Sequence, residues 1–227
     1  MAFTHHDFQY TAQGAGPTTT VTLAAIATTA GDLIVFGLKW QTANTAITSI
    51  TDTIGNSYTS GTLLDNPSGD LHGQMFYCLS SIGTNAANII IVTFTTATAW
   101  QRARCWTKSY ASTAVVDVEV PGIAKASGDA PALDPESGPF STATTTDLVV
   151  AFLAGYGNIT YSSPLVNAIA ATARGANGSD TYDWDLVTTA AISSGTVTVH
   201  QNANQRWCVL GLAFKESSST LWAQSVM

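Results

Sequence analysis

The stretch from Thr28 to Trp40 reads "TTAGDLIVFGLKW", and the stretch from Thr144 to Tyr156 reads "TTTDLVVAFLAGY". In each, an Asp (Asp32, Asp147) follows a Thr-bearing turn and opens a run of apolar, largely β-branched residues; the two Asp stand 115 residues apart. Short runs that are apolar on both faces read as strands covered on both sides. The cover expected is an opposing sheet on the inner face and a loop or neighbouring subunit on the outer one.

A second echo lies further along. "IIIVTFTTATAWQRARCW" (Ile89 to Trp106) is answered by "GTVTVHQNANQRWCVLGL" (Gly195 to Leu212). Both run from a strand through a polar turn into Gln-Arg, then Cys, then another apolar strand. This pairs Gln101-Arg102 with Gln205-Arg206, and Cys105 with Cys208. The chain therefore carries two similar strand units, too few for a solenoid.

Other stretches agree. "TVTVH" sets Val197 and Val199 against Thr196, Thr198 and His200, and "VVDVEV" sets Val116, Val118 and Val120 against Asp117 and Glu119, the period of a half-buried strand. Gly55-Asn56, between strand-like flanks, is a hairpin cue. No segment keeps a helical period over 11 residues; "PLVNAIAATARG" (Pro164 to Gly175), with Pro first and Gly last, comes closest to a short helix. The expectation is an all-β fold: an antiparallel, jelly-roll-like β-sandwich. An N-terminal arm is expected over residues 1–16, the sandwich over 17–216, and a C-terminal tail over 217–227. Residues 121–140, rich in Pro, Gly and Asp, read as a long crossing loop.

Composition narrows the function. Charged residues are 10% of the 227, against about 25% in an ordinary soluble domain. The polar surface must be built from Thr, Ser, Asn and Gln. A net charge of −7 with only eight Lys and Arg argues against nucleic acid as a partner. No run approaches the roughly 20 apolar residues of a membrane span. The first residues, "MAFTHHDFQY", lack the pattern of a signal peptide, so synthesis in a cytoplasm is expected. Cys78, Cys105 and Cys208 fit no metal spacing and are expected as buried free thiols.

No nucleophile–base–orienter set stands out, and no P-loop, GxSxG or HExxH motif occurs. His5 and His6 are expected to be solvated in the arm. Asp70 and His72 could share a strand face, and Asp65, Asn66 and Asp70 could wrap a calcium ion, though Asx turns explain that loop better. No metal, no cofactor and no enzymatic activity are expected. In "YDWD", Tyr182 and Trp184 share one strand face and Asp183 and Asp185 the other. The simpler reading puts the aromatics in the core and the acids in solvent; the rival reading makes Tyr182 and Trp184 a glycan contact.

The order "AGDLIVFGLKW", "ITSITDTIGNSYT", "FYCLSSIGTNAANIIIVTF", "STATTTDLVVAFLAG" and "RWCVLGLAFK" resembles a poorly characterised family of β-sandwich domains found in bacterial surface proteins and phage virion proteins. The likeness spans about residues 17–216 and supplies no catalytic residues. It implies a non-enzymatic structural subunit of a phage-like particle, a capsid decoration or tail component. Located in the virion, it would assemble with copies of itself and with another virion protein such as the major capsid protein. The alternative is a carbohydrate-binding or adhesin module. In the tail, Leu221, Trp222, Val226 and Met227 are apolar where a solvated tail would be polar, and are expected to dock on the sheet edge of a neighbouring subunit.

Overall fold

In the computed structural model the described residues are 3–12, 18–41, 45–67, 69, 71–98, 104–111, 114–125, 133–156, 159–177 and 181–216. Nineteen strands and no helix occur among them. The first half holds β1 (Thr4–Ala12), β2 (Thr18–Thr22), β3 (Ile26–Thr28), β4 (Leu33–Trp40), β5 (Ile47–Asp52), β6 (Thr59–Ser60), β7 (Leu64–Asp65), β8 (His72–Cys78), β9 (Asn85–Asn88), β10 (Ile90–Thr98) and β11 (Arg104–Ala111). The second holds β12 (Ala114–Lys125), β13 (Leu148–Gly155), β14 (Tyr161–Val166), β15 (Ile169–Ala170), β16 (Thr172–Asn177), β17 (Thr181–Val187), β18 (Val197–Gln201) and β19 (Trp207–Glu216). All pairings are antiparallel.

The repeat in the sequence is a repeat of topology. The large sheet of the first half runs β1-β11-β4-β8-β6, and that of the second runs β12-β19-β13-β17-β16. Each backs a smaller sheet. In the first half this is β2-β10-β5; in the second, β14 and β18 stand where β5 and β10 do, and bridges Glu136↔Thr198 and Phe140↔Gly195 lay residues 136–140 along β18 as β2 lies along β10. So part of the expected crossing loop is sheet-bound.

Three cores fill this stack of four layers. Ile34, Phe36, Leu38 and Trp40 of β4 pack with Val21, Val92 and Phe94 between the sheets of the first half. Val149, Ala151 and Leu153 of β13 pack with Trp184, Val197 and Val209 between those of the second. The alternate residues of the same strands (Leu33 and Val35; Leu148, Val150, Phe152 and Ala154) meet in a third core between the halves. This corrects the expected outer cover. The second apolar face of each "DL" strand is buried by the other half of the same chain, and the expected single sandwich is two, face to face.

The halves meet about an approximate twofold running along the strands: β8 packs on β19 and β11 on β17. Counterparts therefore meet at its centre, as in an isologous dimer. Gly37 and Phe152 are such counterparts, 115 residues apart. A Cβ built on Gly37 would lie 2.3 Å from Phe152 Cγ, so the glycine makes the hollow that receives the ring.

Several local expectations change. Within the expected arm, Thr4–Ala12 are not detached, because β1 pairs along β11 at the edge of a large sheet. Pro164 to Gly175 is no helix. Asn167 and Ala168 have φ of 51° and 61°, a left-handed pair that turns β14 into β15 as a tight hairpin. Gly55 (φ 91°) does sit in a turn, but that turn carries the chain from the small sheet to the large one and makes no hairpin. Cys105 stands opposite Leu38 while Cys208 stands opposite Ala154, whose counterpart is Lys39; the two cysteines are thus one residue out of register.

Candidate functional site

The densest group of titratable side chains lies in the seam between the halves. Alternation on β17 sends Tyr182 and Trp184 into the second half's own core, so Asp183 and Asp185 must face the seam. Across from them β11 presents Lys108 and Tyr110. Lys108 Nζ lies 2.7 Å from Asp183 Oδ2 and 3.7 Å from Asp185 Oδ2. The Tyr110 hydroxyl donates to Asp185 Oδ2 at 2.6 Å, and Arg174 on β16 donates to both Asp185 oxygens at 2.8 and 2.9 Å. The His5 ring stands edge-on to Tyr110, centroids 5.5 Å apart.

Burial and charge pull the two carboxyls apart. Burial pushes Asp183 up to about 7, and the Lys108 ammonium offsets this only in part. Asp185 is desolvated too, yet Lys108, the Arg174 fork and the Tyr110 hydroxyl outweigh that and hold it below the usual carboxylate range. Burial, then the nearby Asp185 charge, drives the Tyr110 phenol well up. Burial and the Arg174 cation keep His5 below its ordinary value. Lys108 is fully buried, and Asp183 and Asp185 nearly so, which leaves a substrate no approach to them. The arrangement neutralises charge within a packed seam.

The repeated Asp residues are turn caps. Asp32 Oδ2 accepts from Thr29 N at 2.7 Å and lies 2.9 Å from His6 Nδ1, while Asp147 accepts from both the backbone and the hydroxyl of Thr144. His6 is paired yet still exposed, at 38%, and His5 is half-buried, so only His5 departs from the expected solvated side chain.

The first half also has a cleft of about 320 Å³ where its two sheets part, between β5 on one side and β6 and β8 on the other. Trp40 and Phe76 floor it, Tyr58 and Leu63 stand at its rim, and Gln74 points in with its amide donating to Gly61 O at 2.8 Å. No charged residue lines it. Asp52 fixes the wall. It accepts from the backbone of Ile54, Gly55 and Asn56, and from the Tyr58 hydroxyl and Asn88 amide at 2.7 and 2.9 Å. Burial opposes its charge, but these donors win and hold Asp52 below the usual range.

Tyr182 and Trp184 are 4% and 0% exposed, so they offer a glycan no stacking face, and that assignment is corrected. The simpler reading is right for these aromatics, which lie in the core, and overturned for Asp183 and Asp185, which it set in solvent; each is 2% exposed. His72 pairs with Asp65 at 2.6 Å and stacks on Trp40. Asn66 Oδ1 accepts from Leu71 N, an Asx-type closure of its loop. Asp70, Leu221, Trp222, Val226 and Met227 lie outside the described residues. Cys78 and Cys208 are buried free thiols, with burial pushing Cys208 up to about 12.

Sequence reasoning passed over Lys108, Arg174 and Tyr110. The available signal was the contrast between counterpart strands. Where β17 reads Tyr182-Asp183-Trp184-Asp185, β8 reads Gln74-Met75-Phe76-Tyr77. No family model, curated protein or solved structure matches the chain.

Proposed function

We propose that this protein is a non-enzymatic structural subunit of a phage-like particle, a capsid decoration or tail component. Its partners are further copies of itself and another particle protein such as the major capsid protein. The observation that carries this reading is the outer face of β2-β10-β5. Register sets Thr20, Thr93 and Ser49 in one row and Thr22, Ile91 and Thr51 in the next, all on the side away from the core. A flat face of hydroxyls and one aliphatic can pack against protein without desolvating a charge, as interface cores require. The Lys108–Asp183 and Arg174–Asp185 pairs meanwhile lie inside the seam. The sequence resemblance to phage virion domains points the same way.

The glycan-binding alternative loses Tyr182 and Trp184 and, among the described residues, is left with the uncharged cleft beside Tyr58. Imaging and mass spectrometry of purified particles test the proposal, with stoichiometric copies on a symmetric lattice expected. Absence from the particle, or a strictly monomeric protein that binds a defined glycan at micromolar affinity, would overturn it.

A further inference from the structure

The duplication supplies an internal control for the cleft. In the second half, β14 does not end its small sheet: β15 pairs on its outer side, Leu165 with Ala170 and Val166 with Ile169. The space between that half's sheets is filled by Tyr161, Tyr182 and Trp184, whose rings follow one another at 5.7 Å. In the first half, β5 is the last described strand of its sheet. The counterparts of Tyr182 and Trp184 are the smaller Gln74 and Phe76, and the cleft opens beside them. An end strand presents backbone N–H and C=O groups that an added strand can satisfy. Among the described residues, one half thus lacks the strand and the large side chains that close the other.

We infer that the cleft along β5 receives the C-terminal segment 217–227 of a second copy of this chain, added as a strand with Leu221 or Trp222 seated over Phe76 and Trp40. This rests on the assembly reading above and names its contact. The segment, "SSSTLWAQSVM", is uncharged, as the cleft is, and carries apolar anchors between small polar residues. The chain's own segment is badly placed for the task. β19 ends at Glu216, beyond the Phe214–Leu148 pair, so it leaves at the Leu148 end of the stack. Gly73, opposite Lys39 near the Trp40 end, packs instead on Ala154 and Cys208, which places the cleft's floor residue Trp40 at the other end. Crossing from β19 past the sheet of β8 to β5 spans two sheet spacings, about 20 Å, which takes roughly six residues at about 3.3–3.6 Å each. Leu221 and Trp222 are then used up in the crossing, short of the Trp40 end.

The test is sedimentation of the full chain over a range of concentrations, with two independent substitutions. Gln74→Tyr copies the residue that fills the second half, and Leu221→Ser with Trp222→Ser removes the anchors and leaves every described residue unchanged. Wild type should self-associate, and each variant should lose at least tenfold in association with melting within a few degrees of wild type. Mixing a Ser49→Cys chain with a Gln224→Cys chain under oxidation should give a disulfide-linked pair of the two. Undiminished association in both variants overturns the inference and leaves the particle role standing. Internal closure of a chain carrying both cysteines, with no mixed pair, assigns the cleft to the chain's own segment and overturns it too. A wild type that stays monomeric while the cleft takes up a neutral oligosaccharide also overturns it; co-pelleting with purified particles then decides the particle role separately.

Discussion

The two limbs of the seam occupy equivalent places and are built from opposite chemistry. Where β8 crosses β19, Met75 packs with Leu210, Leu212 and Phe214 in one apolar cluster. Where β11 crosses β17, the matching positions hold Asp183, Lys108 and Tyr110, and the contact is an ion pair with a hydrogen-bonded carboxylate. Register makes the correspondence residue by residue: Met75 stands opposite Gly37 as Asp183 stands opposite Phe152, and Lys108 opposite Val35 as Leu212 opposite Val150. A buried ion pair adds little net stability over an apolar pair of similar volume, but a broken one is costly. The difference therefore concerns specificity. Identical limbs would let two first halves or two second halves pair. An acid-bearing β17 is matched by the one strand that carries Lys108.

The largest effect should come from breaking the ionic limb on one side only. Asp183→Met alone strands the buried Lys108 ammonium and should cost about 3–5 kcal/mol in urea unfolding. Lys108→Leu alone leaves a carboxyl already raised to about 7, which takes up a proton, and should cost about 1–3 kcal/mol. A loss below about 1 kcal/mol would mean that the pair is solvated. Next comes the centre of the seam. Gly37→Ala drives a methyl into the Phe152 ring and should cost about 1–3 kcal/mol, a fall of several degrees in Tm for a chain of this size. Phe152→Ala in the same chain should remove much of that clash, and strict additivity of the two losses would deny the contact.

A smaller effect is pH-dependent, and the two carboxyls act with opposite sign. Asp183 is raised, so its contribution is complete below the ordinary carboxylate range and is lost as pH rises through about 7. Asp185 is lowered, so its contribution is present above the ordinary range and lost as pH falls through its depressed value. From pH 4.5 to 8, wild type should lose stability relative to a chain bearing both Lys108→Leu and Asp183→Met. A constant gap would contradict the assignment for Asp183. The smallest effect expected is from reductant. Cys78 and Cys208 are buried with raised thiols, so melting should not change, and both should react with a thiol reagent only after unfolding.

Much of the fold was legible because strand grammar is local. Asp32 and Asp147 cap equivalent turns, and the doubly apolar runs behind them did mark strands buried on both faces. What covers such a strand is not local, and a neighbouring subunit read the same as the chain's other half. The YDWD stretch was legible for its aromatics, which lie in the core as the simpler reading had them, and not for its acids. Alternation separates Tyr182 and Trp184 from Asp183 and Asp185 but cannot say that both faces are dry; that depends on Lys108, 75 residues earlier. The pairing of Cys105 with Cys208 slipped by one because equal motifs were matched across turns, while the ladder to β4 and β13 sets the true register. The cleft was invisible for want of a comparison. Only the structure places Gln74 where the other half has Tyr182.

Both limbs of the seam do one packing job with different chemistry. Transplanting the apolar limb's residues onto the ionic one tests it most directly, by measuring the unfolding free energy of Lys108→Leu/Asp183→Met against both single variants at pH 7. The double exchange should lie within about 1 kcal/mol of wild type or above it, recovering the roughly 3–5 kcal/mol lost in Asp183→Met and the smaller loss in Lys108→Leu. A double exchange that loses as much as the two singles together would contradict it.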